Sequence, residues 1–145
     1  MAILFDSTSR LFTLTTAHSM YQMKADRYGV LLHTWFGIRS SVFDYSYRIA
    51  YADRGFSGNP YDAGEDRTYS LDALPQEFPV YGSGDYRSTA LKVRYPDGTF
   101  SCDLRYLKHE MRKGKYSLPG LPALYETSGN ADTLIITLED TRRMF

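Results

Sequence analysis

The sequence has a single cysteine, Cys102, and no surplus of charge: 17 Lys and Arg stand against 17 Asp and Glu. One thiol excludes an intrachain disulfide framework and fits a reducing compartment. Zero net charge argues against a protein that holds nucleic acid by neutralising phosphates, which would carry a clustered basic excess. It argues equally against a polybasic membrane anchor. Long apolar runs are also missing. Stretches such as Gly29-Val30-Leu31-Leu32 fall far short of the roughly 20 residues that span a bilayer. The opening Met-Ala-Ile-Leu-Phe-Asp has no basic leader, and an acid interrupts its short apolar run. A secretory signal needs ~7–15 apolar residues after a positive start. The expectation is a cytoplasmic chain with neither membrane nor nucleic acid as a partner.

What the sequence has in quantity is aromatic: 13 Tyr and 8 Phe among 145 residues. That composition favours strands, and period-two alternation recurs along the chain. It is visible in Phe12 to Thr15, Val30 to Phe36, Phe43 to Ile49, Leu91 to Tyr95, Phe100 to Tyr106 and Leu134 to Leu138. In Val30 to Phe36 the alternation sets residues 30, 32 and 36 opposite His33. One face of each run is apolar and the other polar, the pattern of antiparallel sheet with a solvated outer face. Pro96-Asp97-Gly98-Thr99 supplies a tight turn, so 90–107 is expected to be a hairpin. One helical turn can start at Ser70 and must stop by Pro75. The fold class is therefore all-β, an antiparallel β-sandwich in one domain spanning 1–145.

Residues 52–81 depart from this pattern. They hold six of the seventeen Gly and Pro residues and little alternation, so they read as one long loop. A loop of that length in a compact domain is either disordered or functional. Tyr61, Tyr69, Phe78, Tyr81, Leu71 and Leu74, together with Phe56, argue that it is docked.

The sequence offers little chemistry. His18, His33 and His109 lie far apart, and none has ligand spacing to another His or to Cys102, so neither a metal nor a cofactor is expected. Cys102 alternates on the apolar face of its run and reads as a small buried hydrophobe. Gly82-Ser83-Gly84-Asp85 leads toward a strand and reads as a turn rather than a phosphate cradle. Trp35 could stack on a sugar, but it lies among strand residues, where packing is the usual role. The acids of the loop are the one candidate for function. Most loop aspartates cap turns through their own side chains, and Arg54 and Arg67 are the natural ion-pair partners of these.

The long loop and its flanks resemble a known family. Phe56-Ser57-Gly58-Asn59-Pro60, Asp66-Arg67-Thr68-Tyr69-Ser70-Leu71-Asp72-Ala73-Leu74-Pro75-Gln76-Glu77-Phe78-Pro79 and Gly82-Ser83-Gly84-Asp85-Tyr86-Arg87-Ser88 are similar to a run in the N-terminal domain of glycoside hydrolase family 36 α-galactosidases. Asp103-Leu104-Arg105-Tyr106, Lys113-Gly114-Lys115, Gly120-Leu121-Pro122-Ala123 with Tyr125, and Thr133 to Asp140 extend the likeness to nearly the whole chain.

The resemblance implies a large, supersandwich-like antiparallel β-sandwich that precedes a catalytic (β/α)₈ barrel. That barrel hydrolyses terminal α-galactosides of the melibiose and raffinose type with retention. Both catalytic aspartates of the family lie in the barrel, so no residue of this chain is expected to be catalytic. The resemblance further implies a homo-oligomer, with the loop reaching a galactoside at a neighbouring subunit's active site. It assigns substrate contact to Asp53, the acid before Arg54-Gly55-Phe56-Ser57, and, as a second candidate, to Arg67. Gly58 and Thr89 stand where the family has Pro, which adds backbone freedom to the unfolded chain. After Glu139-Asp140 the family continues the same sandwich, so the C-terminal side is expected to be incomplete. Two other readings stay open: a free-standing carbohydrate-binding β-sandwich module, and a pure assembly domain without sugar contact.

Overall fold

The structure, a computed structural model, describes residues 2–53, 55, 59–123 and 129–142. Its N-terminal part is a meander of four antiparallel strands: β1 (Ala2–Asp6), β2 (Leu11–Thr15), β3 (Ser19–Ala25) and β4 (Leu31–Ile38), side by side in that order. Two longer strands, β5 (Leu104–Lys113) and β6 (Asp132–Asp140), form a separate antiparallel ribbon. The only helical elements among the described residues are 3-10 turns at Ser46–Arg48 and Tyr61–Ala63. The chain is thus all-β and antiparallel, as the alternation implies, and no helix among the described residues is long and apolar enough to cross a membrane.

Register decides which side chains share a face. Phe5 lies opposite Phe12, and Phe12 opposite Met23. Cross-strand partners point the same way, so these three form one apolar face with Ala25 and Leu31. Tyr106, Leu134 and Ile136 of the β5–β6 ribbon pack against it. The other face carries Val30 and Leu32, and here Ala63, Tyr69, Leu71 and Leu74 of the long loop close the core. The four-stranded sheet is therefore buried on both sides, by strands on one and by a loop on the other. Leu32, Tyr69, Leu71 and Leu74 are almost wholly enclosed, and burying each such side chain stabilises by about 1.5–3 kcal/mol.

Several local expectations need correction. A bulge between Gln22 and Met23 sets them opposite Trp35 and His33 and leaves Thr34 as the extra residue. A one-residue slip turns the rest of a strand over. Phe36 consequently joins His33 and Tyr21 on one face instead of Val30 and Leu32. Phe43 to Ile49 is not a strand: it contains the Ser46–Arg48 turn. Its Tyr45 stacks on Trp35 at 4.3 Å, which holds the segment across the sheet.

In 90–107 the tight turn exists, with Gly98 N–H donating to Tyr95 O at 2.9 Å, but its arms are not a strand pair. Leu91 bridges Val80 in parallel, and Cys102 N–H donates to Tyr81 O. Ser70 starts a single turn, as expected, with Ala73 and Leu74 N–H both donating to Ser70 O. Trp35 serves packing, and Cys102 is buried.

Candidate functional site

The loop that carries the candidate residues is held by three anchors. The first is Asp26, in the turn between β3 and β4. Its Oδ1 accepts from Tyr28 N–H at 2.9 Å and Val30 N–H at 2.8 Å. Its Oδ2 accepts from the Tyr69 hydroxyl. Burial and the Asp26 carboxylate together push the Tyr69 hydroxyl far above the usual phenol range, so it remains a donor at any physiological pH. Tyr69 also meets Tyr28 edge-on at 4.6 Å.

The second anchor is Asp85 with Arg87. The Asp85 side chain is 0% exposed. Its oxygens accept from Arg87 Nε at 2.9 Å, Arg87 Nη2 at 2.8 Å and Gln76 Nε2 at 2.8 Å. Arg87 Nη2 also donates to the carbonyls of Leu71 and Leu74, at 2.9 and 2.7 Å. Burial would raise the Asp85 carboxyl, but hydrogen bonds from the Arg87 side chain and N–H, and the Arg87 charge, outweigh it and hold the group below the usual range.

The third anchor is Arg105, which donates to Asp103 from Nε at 2.8 Å and Nη2 at 3.1 Å, and to Tyr28 O at 3.1 Å. Its Nη2 also lies 3.5 Å from Asp62 of the loop. Alternation alone puts Arg105 on the wet face; the paired carboxylate lets it be buried.

Between these anchors the chain turns repeatedly. Ala63 N–H donates to Pro60 O at 3.0 Å, Asp66 N–H to Ala63 O at 3.0 Å and Tyr69 N–H to Asp66 O at 3.2 Å. Asn59 Nδ2 donates to Asp66 O at 2.7 Å. The result brings Asp53 and Arg67 together. Arg67 Nη2 lies 3.3 Å from Asp53 Oδ1, which also accepts from Gly55 N–H at 2.7 Å. Gly55 has φ +69°, the left-handed region that glycine enters without strain.

The side chains are 64% exposed for Arg67 and 49% for Asp53. Pairs this exposed add little to stability, about 0–1 kcal/mol. What the arrangement offers is recognition: a carboxylate that accepts and a guanidinium that donates, side by side in solvent, suit the vicinal hydroxyls of a sugar. Among the described residues the hydrogen-bond partners of Asp53 are an amide and a guanidinium. Arg54, Phe56, Ser57 and Gly58, which complete the motif, lie outside the described residues, as does Tyr125.

A groove of about 520 Å³ is lined by Lys24, Asp26, Arg27, Tyr51 and Asp66 among others. Arg27 Nη2 contacts Asp66 Oδ2 at 2.5 Å. The Thr68 hydroxyl and N–H, then Arg27, hold the Asp66 carboxyl below the usual range. Sequence reasoning did not single out Arg27 or Tyr51. No local signal joins a turn at 27 to a loop at 66. Among the described residues no group of His, Cys, Asp and Glu has the geometry of a metal site.

Fold and site together define an antiparallel β-sandwich that displays a tethered polar loop. Residues 29–145 match the Glycosyl hydrolase family 36 N-terminal domain, and the chain belongs to that family. It is 51% identical over 140 residues to the bifunctional alpha-galactosidase/sucrose kinase AgaSK of Mediterraneibacter gnavus, covering 97% of this chain and 15% of that protein. The solved galactosidase domain of AgaSK superimposes with a TM-score of 0.92 at 50% identity, over 97% of this chain and 20% of that one. The alpha-galactosidase AgaA of Geobacillus stearothermophilus, solved as a variant in complex with raffinose, gives 0.83 at 39% identity, over 91% and 18%. The chain thus spans a fifth or less of the length of these relatives.

Proposed function

We propose that this chain is the non-catalytic sandwich of an α-galactosidase acting on terminal α-galactosides of the melibiose and raffinose type. In this reading a catalytic barrel performs the hydrolysis and the sandwich packs against it. The sandwich also takes part in a homo-oligomer, and its loop completes the substrate site of a neighbouring subunit. The observation that carries the reading is the exposed Asp53–Arg67 pair, displayed on a loop held by three buried or half-buried networks. Asp53 accepts hydrogen bonds from galactose hydroxyls, and Arg67 fixes its carboxylate and donates to a neighbouring hydroxyl. The relatives' names as alpha-galactosidases support the substrate class.

The test is substitution at the position aligned with Asp53 in a full-length relative. Asp→Ala there is expected to lower kcat/KM on raffinose by about 10- to 100-fold, the cost of losing one or two charge-assisted hydrogen bonds. Unchanged kcat and KM would reduce the domain to assembly alone. The isolated chain is expected to show no hydrolysis of an aryl α-galactoside and no saturable galactose binding. Millimolar or tighter binding that Asp53→Ala abolishes would instead establish a free-standing carbohydrate-binding module.

A further inference from the structure

The Asp53–Arg67 pair cannot hold itself in place. Both side chains lie in solvent, and an exposed pair gains little while it fixes two flexible side chains. The place of the Arg67 guanidinium therefore comes from its backbone, and the bonds around that backbone converge on the residue before it. Asp66 Oδ1 accepts from Thr68 N–H at 3.0 Å and from the Thr68 hydroxyl at 2.6 Å. Asp66 O accepts from Tyr69 N–H at 3.2 Å and from Asn59 Nδ2 at 2.7 Å. Arg67 is thus enclosed in two superposed turns, one closed by the Asp66 side chain and one by its carbonyl. The other carboxylate oxygen, Oδ2, meets Arg27 Nη2 at 2.5 Å. Arg27 is fixed in turn: its guanidinium stands over the Tyr28 ring at 4.7 Å, within the connection that joins β3 to β4.

We propose that Asp66 is a positioning residue for the substrate site: clamped to the sheet by Arg27, it sets the turn from which Arg67 reaches Asp53 and a sugar hydroxyl. The effect on substrate rests on the role proposed above for Arg67, whereas the positioning is measured without sugar. Asp66 acts through Arg67 and not on the sugar itself. Two donors fill Oδ1, and Oδ2 faces a guanidinium, which leaves the carboxylate little to offer a further hydroxyl.

Each substitution removes a different part of this arrangement. Asp66→Ala opens the side-chain turn and frees Arg27 at once. Asp66→Asn keeps an oxygen for Thr68 N–H, since Asn closes the same kind of turn, and loses the charge that Arg27 holds. Arg27→Ala leaves the turn and loses the link to the sheet. Arg67 is displaced most by the first and less by the other two.

Two measurements test the positioning. The first is the amide resonance of Gly55 in a proton–nitrogen NMR spectrum of the 145-residue chain, because Gly55 N–H donates to the Asp53 oxygen that Arg67 faces. Arg67→Ala moves this resonance by removing the guanidinium. Asp66→Ala is expected to move it to the same place, and Asp66→Asn and Arg27→Ala part of the way, with Arg27→Lys restoring it. A Gly55 resonance indifferent to either Arg67→Ala or Asp66→Ala overturns the proposal. Should Asp66→Ala fail to fold, Arg27→Ala, at an exposed side chain, decides in the same way. The second is a double-substitution cycle in a full-length relative that carries the same Asp-Arg-Thr run, assayed on raffinose. Arg67→Ala and Asp66→Ala at the aligned positions are each expected to raise KM about 3- to 10-fold with kcat little changed, and the two together no further. An Asp66→Ala enzyme with unchanged KM, or costs that multiply, overturns the proposal. An Arg67→Ala enzyme with unchanged KM refutes the role of Arg67 toward substrate, and the Gly55 resonance then upholds or overturns the positioning alone.

Discussion

One guanidinium joins three parts of the loop region. Arg87 neutralises the enclosed Asp85 and caps two carbonyls of the turn that starts at Ser70. Arg87→Ala strands a buried carboxylate. The expected loss is about 2–3 kcal/mol in a urea melt, at the low end for a broken buried pair because Arg87 is itself half-exposed. Arg87→Lys should recover less than half of this, since an ammonium lacks the fork that reaches carboxylate and carbonyls together.

The motif containing these residues was visible in the sequence as a likeness, but its role was not. Gly84-Asp85 reads locally as a turn, and no spacing rule connects 87 to the carbonyls of 71 and 74. Arg105 was misplaced for a related reason. Alternation puts Asp103 and Arg105 on one polar face, and it cannot see that Tyr28 and Asp62, distant in sequence, cover that face. Asp53 and Arg67 were nominated from the sequence, and the structure brings them together; their contact with a galactoside is the proposal that the substitution above tests.

At the scale of elements, β2, β4 and β6 were legible because apolar and polar residues alternate in Phe12 to Thr15, Val30 to Phe36 and Leu134 to Leu138, whereas β1 and β3 carry no such run. The strands that failed did so for identifiable reasons. Phe43 to Ile49 alternates, yet Tyr45 is used to stack on Trp35, so the segment lies across the sheet instead of pairing with it. The bulge at Thr34 leaves no mark in the composition. The long loop behaves as a layer of the sandwich, because Leu71 and Leu74 close the core above Val30 and Leu32. Leu74→Ala should therefore cost about 2–5 kcal/mol, as a strand position would. An ordinary surface loop substitution costs a few tenths, and the denaturation midpoint separates the two.

For the molecule as a whole, balanced charge makes pH the simplest lever on stability. Burial would raise both Asp85 and Asp140. Arg87 overrides it at the first; the Tyr95 hydroxyl and the N–H groups of Asp103 and Arg142 override it at the second, and both carboxyls sit below the ordinary value of 3.8. A depressed folded value means the folded state resists protonation more than the unfolded one. The stability these groups add is complete above about pH 3.8 and is lost as pH falls through their lower folded values. Urea midpoints should be flat from about pH 5 to 7 and drop below about pH 4, and the drop should be shallower in Asp85→Asn.

The order of strands in the meander also has a consequence in time. Each of β1 to β4 pairs with its neighbour in sequence, across connections of four, three and five residues. The bond from Arg105 to Tyr28 spans 77 residues. Short loops close early and cheaply, long ones late. As the chain leaves the ribosome, the first forty residues can already form a sheet, with both faces bare until the loop and then the ribbon arrive. The nascent protein therefore passes through a stage in which Phe12 on one side and Leu32 on the other are open to solvent. That interval is when a chaperone has most to shield.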